Sequence, residues 1–258
     1  MLDAICRPAD LINKAIEFGL TGIAITDHEC LSAHMEVNEI AEKLRETNPN
    51  FTIALGNEIY LTDTRENGQR YYHFILIAKD ALGHKALREL SSKAWYNLYV
   101  DKGLERVPTL KSELEEIVNK YPGHLIATSA CIGGELPQAI INLSKAKDWE
   151  EAKRYSQEIT DFVSYCKNLF HDDFYIECAP SSKPEQVWVN KRLKKAAELF
   201  GLKMTVGTDT HYLTEKDRWV HKSYLNSKGG EREVDSFYEF ARLMTPEECH
   251  SLLECSFD

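Results

Sequence analysis

Short apolar runs alternate along the chain with longer amphipathic segments. Apolar runs bounded by turn residues predict strands, and apolar positions spaced three or four residues apart predict helices. Strands are predicted in TGIAITDH, FTIALGNEIYL, YYHFILIAKD, HLIATSAC, FYIECAP and KMTVGTD. Helices are predicted in ADLINKAIEFGL, SAHMEVNEIAEKLRE, LGHKALRELSSKAWYNLY, TLKSELEEIVNKY, DWEEAKRYSQEITDFVSYCKNLF and PEQVWVNKRLKKAAELFG.

The repeated alternation of strands and helices favours an α/β fold with a parallel sheet. Because six strands are predicted, a (β/α) barrel or a distorted relative is favoured over an open sheet. In such barrels the functional side chains gather just past the carboxyl ends of the strands. The residues at these strand ends are therefore the first candidates for a functional site.

Four predicted strands end in residue types that bind metal ions. Imidazole, carboxylate and thiolate groups are the usual protein ligands of transition metals. The strand-end residues of these types are Asp27, His28, Glu58, Cys131, Asp209 and His211. In isolation each has a plainer interpretation: Cys131 as an ordinary buried thiol, Glu58 as a solvated acid. Together they favour a metal site.

Asp209 and His211 lie two residues apart, just past the last predicted strand. In an extended chain, residues i and i+2 point to the same side. The two side chains can therefore converge on one metal ion or one phosphate group. A D-x-H pair alone is weak evidence, so the hypothesis depends on partners from other segments.

A predicted hairpin adds a further candidate ligand, His73. If its turn centres on residues 65–68, Tyr60 lies opposite His73. Glu58 and His73 are then diagonal neighbours on one face, roughly 7–8 Å apart. A register slip of one residue would place them on opposite faces. The remaining histidines, interpreted as structural or surface residues, are His34, His84, His124, His171, His221 and His250.

Composition excludes several classes of protein. The 258 residues include seven cysteines without a C-x-x-C pair, which favours a reducing, cytoplasmic compartment over a disulfide framework. No apolar run approaches a membrane span, and no signal peptide pattern is present. The net charge of −10 predicts that any DNA contact is local, metal-assisted or provided by another region. Neither G-x-S-x-G nor a P-loop occurs.

Several segments in order, GLTGIAITDH, GNEIYL, YYHFILIAKD, IATSACIGGELPQAI and FGLKMTVGTDTHYL, resemble one family. The chain resembles the PHP (polymerase and histidinol phosphatase) domain at the N-terminus of the bacterial DNA polymerase III alpha subunit. The resemblance covers nearly the whole chain. It implies a distorted (β/α)7 TIM-like barrel with up to three metal ions at its mouth, and we expect fewer than three in this chain because the family's H-x-H pair is absent. It implies a PHP barrel domain over residues 1–214 and a C-terminal extension over residues 215–258, leading toward a polymerase palm.

Carried over position by position, the resemblance implies a set of metal ligands and a function. The implied ligands are His28, Glu58, His73, Cys131, Asp209 and His211, with Asp3 of MLDA added from the family's first motif. Imidazole and thiolate ligands favour Zn²⁺, whereas carboxylates admit Mn²⁺ or Fe. Such a site suits phosphoester hydrolysis, as in a 3′–5′ proofreading exonuclease. The implied partners are the remainder of the alpha subunit, primer-template DNA and a proofreading exonuclease subunit, with no membrane.

The chain departs from the family pattern in three places. An H-x-H pair opens the family's first motif and would precede Met1, so we expect the first barrel strand to be missing and hydrolysis to be slow. YIECAP replaces a segment that usually continues with Gln and His. No catalytic polymerase aspartates can be assigned, so we expect no DNA polymerisation by this chain alone. The alternatives are an inactive metal-binding scaffold of the polymerase and a phosphatase of the histidinol phosphate type.

Overall fold

A computed structural model describes residues 4–101, 104–227 and 238–257. The helices are α1 (Pro8–Glu17), α2 (His34–Thr47), α3 (Ala81–Tyr96), α4 (Lys111–Lys120), α5 (Glu135–Ser144), α6 (Trp149–Phe170), α7 (Pro184–Phe200), α8 (Arg218–Asn226) and α9 (Pro246–Phe257). The strands are β1 (Gly22–Ile25), β2 (Thr52–Thr62), β3 (Tyr72–Ala78), β4 (Tyr99–Asp101), β5 (Leu104–Arg106), β6 (Thr109–Leu110), β7 (Leu125–Thr128), β8 (Phe174–Cys178) and β9 (Lys203–Val206).

All six predicted strands and all six predicted helices are present. The sequence patterns did not predict helices α5, α8 and α9 or the small β4–β5 hairpin. They also placed Thr109 at the start of a helix, whereas Thr109 and Leu110 form the short strand β6 that pairs with β2. Helix α4 begins at Lys111, and the Glu113 carboxylate accepts the Leu110 N–H at 3.0 Å.

The main sheet has the strand order β1-β2-β3-β7-β8-β9, with β6 added beside β2. The pairs β1/β2, β7/β8 and β8/β9 are parallel, but β3 is antiparallel to both β2 and β7. The antiparallel pairing of β2 and β3 confirms the predicted hairpin, whereas the pairing of β3 with β7 departs from the parallel sheet expected from the strand–helix alternation. No helix separates β2 from β3, and a short connection between neighbouring strands forces antiparallel pairing. The result is a mixed α/β fold with a curled half-barrel sheet.

Alternate side chains along the strands point to opposite faces of the sheet. On β3, Phe74 and Leu76 enter the main hydrophobic core, whereas Ile75 and Ile77 line a cavity of about 710 Å³ on the other face. The core-facing residues of β7, β8 and β9 include Leu125, Ala127, Phe174, Ile176 and Met204. Their cavity-facing neighbours are Thr128, Glu177 and Thr205. This alternation separates the helix-covered core from an interior cavity that holds both apolar and polar side chains.

Helices cover the outer face of the sheet. Each of the five helices α3 to α7 contributes buried residues to the main core, for example Leu87, Leu114, Leu136, Phe162 and Leu193. A smaller core joins α1, β1 and α2 through Ile12, Ile25 and Val37. None of the described helices is long and apolar enough to cross a membrane.

The C-terminal segment packs against the end of the sheet and against α7. The His211 N–H donates to the Ala241 carbonyl oxygen at 2.8 Å. In the helix pair α7 and α9, the Asn190 side-chain amide donates to Ser256 Oγ at 3.2 Å. Residues after the last strand therefore help to position His211.

Phe74 is the centre of an aromatic cluster in the main core. It is 1% exposed, and its ring centroid lies 6.3 Å from that of Phe162, 6.0 Å from that of Phe170 and 6.5 Å from that of Phe174. We expect Phe74→Ala to lower the free energy of unfolding by about 3–5 kcal/mol, because it leaves a cavity among these rings. Urea denaturation measures the change.

The control is Tyr96→Ala at the end of α3, where the side chain is 90% exposed. We expect it to change the free energy of unfolding by less than about 0.5 kcal/mol. Equal losses in the two variants would contradict the placement of Phe74 in the core.

Candidate metal centre

Backbone pairing fixes His28 beside Glu58. Just beyond β1, His28 forms an isolated parallel bridge with Glu58. The Glu58 N–H donates to the Asp27 carbonyl oxygen at 3.0 Å, and the Asn57 side-chain amide donates to the same oxygen at 2.8 Å. These bonds bring the imidazole of His28 to the carboxylate of Glu58, with Nε2 and Oε2 3.5 Å apart.

The β2–β3 hairpin brings His73 to the other side of Glu58. Tyr60 pairs with His73 and Glu58 with Ile75, which confirms the predicted register. His73 Nδ1 lies 2.8 Å from Glu58 Oε1. His28, Glu58 and His73 each offer one ligand atom, and these three atoms lie within 4.8 Å of one another. Glu58 is 5% exposed, so it is not the solvated acid of the plainer interpretation.

Cys131 lies next to His73, on the loop that follows β7. Its Sγ is 3.3 Å from His73 Nδ1, and the Gly133 N–H donates to Sγ at 3.4 Å. The loop is tied to β3, because the His73 N–H donates to the Gly133 carbonyl oxygen at 3.1 Å. Ala130, the residue before Cys131, has a φ of 57°, a left-handed conformation that is costly for a residue with a side chain.

Asp209 and His211 approach the same cavity from the end of β9. Asp209 has a φ of 45°, so the chain does not continue as a strand through this pair. His211 Nδ1 lies 2.7 Å from the backbone carbonyl oxygen of Asp209. A carbonyl oxygen only accepts, so Nδ1 carries the proton and Nε2 carries the lone pair in the neutral ring.

The 710 Å³ cavity brings most of the predicted ligands together. The predicted ligands that line it are His28, Glu58, Cys131, Asp209 and His211. His73 joins this group through its contacts with Glu58 and Cys131. Asp3 lies outside the described residues, and Asp27, noted at the same strand end as His28, also lines the cavity.

Buried acidic groups dominate the electrostatics of the cavity. Burial raises the pKa of the Cys131 thiol well above its ordinary value, and Asp209 and Glu58 raise it further. Burial and then Glu58 also raise the pKa of Asp209. Burial acts to raise the pKa of Glu58 as well, but His28 and His73 outweigh it and lower this pKa. A cation in the cavity would favour the ionised form of all three groups.

Glu177 is an acidic residue of the cavity that the sequence patterns did not identify. It is 6% exposed, and burial raises its pKa to about 8. Thr128 Oγ1 donates to its Oε2 at 2.6 Å, and a Cβ atom at Gly207 would lie 2.0 Å from its Oε1. Side chains alternate between the two faces of the strand FYIEC, so Glu177 points to the face away from Phe174 and Ile176. This alternation is the sequence pattern from which Glu177 could have been identified.

Two of the histidines interpreted as structural occupy buried positions. His221 on α8 is fully buried, and its ring centroid lies 5.7 Å from that of His211. His34 is 4% exposed, and its ring nitrogens lie 3.1 Å from His84 Nε2 and 3.0 Å from the Gly56 carbonyl oxygen. His221 thus packs behind a candidate ligand, whereas His34 joins α2 to β2 and α3.

The donor set fits a divalent transition metal. Two imidazoles and a carboxylate converge within the separation that ligands of one ion require, and a thiol lies beside them. Several buried acidic groups surround the cavity. When they ionise, their negative charges need a compensating positive charge nearby. His28, Glu58 and His73 are the residues that would hold the first ion.

The raised pKa of Glu177 predicts a pH-dependent stability in the metal-free protein. Between its ordinary value of 4.5 and about 8, the folded protein keeps a proton that the unfolded chain releases, so stability falls as the pH rises. Glu177→Gln removes this loss. We expect chelator-treated wild type to lose about 2–4 kcal/mol more of its free energy of unfolding between pH 5 and pH 8 than this variant.

The matched control is Glu198→Gln, on the exposed side of α7. It should follow wild type at both pH values in urea denaturation with a chelator. A Glu177→Gln variant with the same pH dependence as wild type would show that Glu177 is ionised in the folded protein.

Comparison with known proteins identifies the family. A family model of the PHP domain matches residues 1–181. The Probable DNA polymerase YorL of Bacillus subtilis (strain 168) is 39% identical over 272 residues, which cover 98% of this chain and 21% of that protein. The DNA polymerase III subunit alpha of Borreliella burgdorferi is 33% identical over 224 residues, covering 84% of this chain and 17% of that protein.

Among solved structures, a Bifidobacterium adolescentis protein assigned as a metal-dependent phosphoesterase superposes with a TM-score of 0.46 at 14% identity, covering 99% of this chain and 93% of that one.

The present chain spans about a fifth of the length of the curated relatives. The family match over residues 1–181 and the similarity to the polymerase sequences agree with each other. The chain belongs to the PHP domain family and is homologous to the PHP region of DNA polymerase III alpha subunits.

Proposed function

We propose that the chain is the PHP domain of a replicative polymerase of the DNA polymerase III alpha type, and that its metal site hydrolyses phosphoesters as a 3′–5′ proofreading exonuclease. The observation that carries this proposal is the convergence of His28, Glu58 and His73, with Cys131 beside them. Asp209 and His211 line the same cavity. The similarity to polymerase sequences supports DNA as the substrate.

The ligand types indicate Zn²⁺ or Mn²⁺, with Fe a further option, and the family resemblance allows up to three ions. His28, Glu58 and His73 would hold one ion. Asp209, His211 and Cys131 are the residues for a neighbouring ion, and Asp3 remains a predicted ligand outside the described residues. When bound, such ions bind phosphate oxygens and activate water for attack on the phosphoester.

The protein's own residues prepare the site for that reaction. His28 and His73 lower the pKa of Glu58, so its side chain is a carboxylate even without a bound metal ion. The carbonyl oxygen of Asp209 holds the proton of His211 on Nδ1 and presents Nε2 as the ligand atom. The low exposure of Glu58 and His211, 5% and 6%, limits the access of bulk water and strengthens these interactions.

We also propose that the half-barrel is the greater part of a distorted (β/α)7 barrel. In the described residues β1 and β9 are the two ends of the main sheet. Residues of both strands, among them Ile23, Ala24, Thr205 and Val206, line the cavity. A further strand between these edges, carrying the H-x-H pair of the family, would close the barrel next to the metal ligands.

The polymerase context supplies the proposed partners: the remainder of the alpha subunit, primer-template DNA and a proofreading exonuclease subunit, in the cytoplasm. The barrel domain of residues 1–214 and the extension of residues 215–258 remain predicted divisions. Because the net charge is −10, DNA would be held by the metal site and by local basic side chains.

The test is a paired assay of hydrolysis with Mn²⁺ or Zn²⁺, using a generic phosphodiester and a 5′-labelled single-stranded DNA. We expect a slow, metal-dependent release of nucleotides from the 3′ end by the 258-residue chain. Asp209→Asn should lower the rate by on the order of 10², because it removes a carboxylate ligand of the neighbouring ion that would bind the phosphate and activate water. The matched control, Asp172→Asn on an exposed turn, should leave the rate unchanged.

Metal binding without hydrolysis of either substrate would contradict the exonuclease proposal and support the inactive scaffold. Hydrolysis of small phosphomonoesters alone would instead support a phosphatase of the histidinol phosphate type. Hydrolysis that persists in Asp209→Asn would show that the reaction takes place elsewhere.

A further inference from the structure

A second groove opens beside the metal-site cavity. It has a volume of about 380 Å³ and lies between α5, the loops after β7 and β8, and the segment before α9. Cys131, Thr208 and Asp209 line both this groove and the larger cavity. A ligand in the groove would therefore reach the candidate metal ligands from one side.

The walls of the groove are mostly apolar. Ile132, Ile141, Pro180 and Phe240 line it, and Phe240 is half-buried, so part of its side chain is accessible. Ligand sites typically combine apolar walls with a few polar groups that orient the ligand. An accessible aromatic ring on an apolar wall is the arrangement on which a nucleobase stacks.

Two lysines give the groove cationic groups that a phosphate can contact. Lys145 and Lys183 line it together with Glu185, and Asp209 lies at the end that the groove shares with the metal-site cavity. Lys183 forms an ion pair with Glu239, whose side chain is 51% exposed. An exposed ion pair contributes little to stability, so the Lys183 ammonium can exchange this partner for a phosphate. On a chain with a net charge of −10, a phosphate in the groove would therefore be held by these two lysines.

We propose that this groove, which we call the nucleotide groove, binds the terminal nucleotide of a single DNA strand. The base stacks on Phe240, the backbone phosphates lie at Lys145 and Lys183, and the scissile phosphodiester points to the end formed by Cys131 and Asp209. A volume of about 380 Å³ suits one nucleotide and is too small for a duplex. The inference rests on the proposed function and specifies its substrate.

The experiment measures binding rather than hydrolysis. The full chain is titrated into a fluorescein-labelled oligothymidylate with a chelator present, and fluorescence anisotropy is followed at several salt concentrations. We expect Lys145→Ala/Lys183→Ala to weaken binding on the order of tenfold and to reduce the salt slope by about 0.7 for each phosphate that a lysine no longer neutralises. Phe240→Leu keeps an apolar side chain but removes the ring, and should weaken binding on the order of tenfold.

The matched control is Lys43→Ala/Lys153→Ala, which makes the same change in net charge at exposed positions on α2 and α6. It should bind like wild type, and thermal melting checks the fold of every variant. Competition identifies the ligand: thymidine monophosphate should displace the oligonucleotide at lower concentration than inorganic phosphate.

Two results would overturn the nucleotide groove. One is equal binding by wild type, the groove variants and the control; the other is equal competition by inorganic phosphate and the nucleotide. Because the binding assay contains a chelator, its outcome does not depend on hydrolysis. Binding that behaves as expected in a protein without nuclease activity would keep the groove and reject only the proposed exonuclease.

Discussion

The structure of the cavity depends on how buried acidic groups are neutralised. Glu58 is ionised because His28 and His73 stand on either side of it, at 3.5 and 2.8 Å. For Cys131 and Asp209 the effect of burial prevails, and the pKa of each is raised. Ionising these groups together requires another positive charge, and a divalent cation is the simplest source. Without metal, the interior of the half-barrel thus favours the protonated forms of the Cys131 thiol and the Asp209 carboxyl group. A bound metal ion would favour their ionised forms, which can act as ligands.

Strand geometry explains how residues far apart in the sequence reach this one cavity. The alternation of side chains sends one half of each strand into the helix-covered core and the other half to the interior. The hairpin register then places His73 beside Glu58, and the parallel bridge places His28 on the opposite side of the same carboxylate. The hairpin register could be derived from the sequence, whereas for His28 the sequence indicated only a position at the end of a strand. The apolar runs locate the strand ends, and the turn-rich residues 65–68 set the register.

Other features could not be read from local patterns. Glu177 is the fourth of the five residues of β8, and the sequence patterns indicated no candidate ligand on this strand, although the absence of a Cβ atom at Gly207 leaves room for the Glu177 carboxyl group. The β2–β3 hairpin could be predicted, but the antiparallel pairing of β3 with β7 joins two strands that are distant in sequence, and no local pattern indicates it. Helix α5 carries Pro137 in its first turn, where proline is tolerated, and its GELPQ start resembles a loop. The nucleotide groove is formed by four separate segments and has no sequence signature.

The metal centre requires that His28, Glu58 and His73 bind the same metal ion. Anomalous X-ray diffraction from crystals of the Zn²⁺-loaded protein tests this requirement most directly. We predict an anomalous peak about 2.0–2.2 Å from a nitrogen of each imidazole and from a carboxylate oxygen of Glu58, and the disappearance of that peak in Glu58→Gln. A Zn²⁺ peak bound by other residues, with these three side chains still paired as in the metal-free protein, would contradict it.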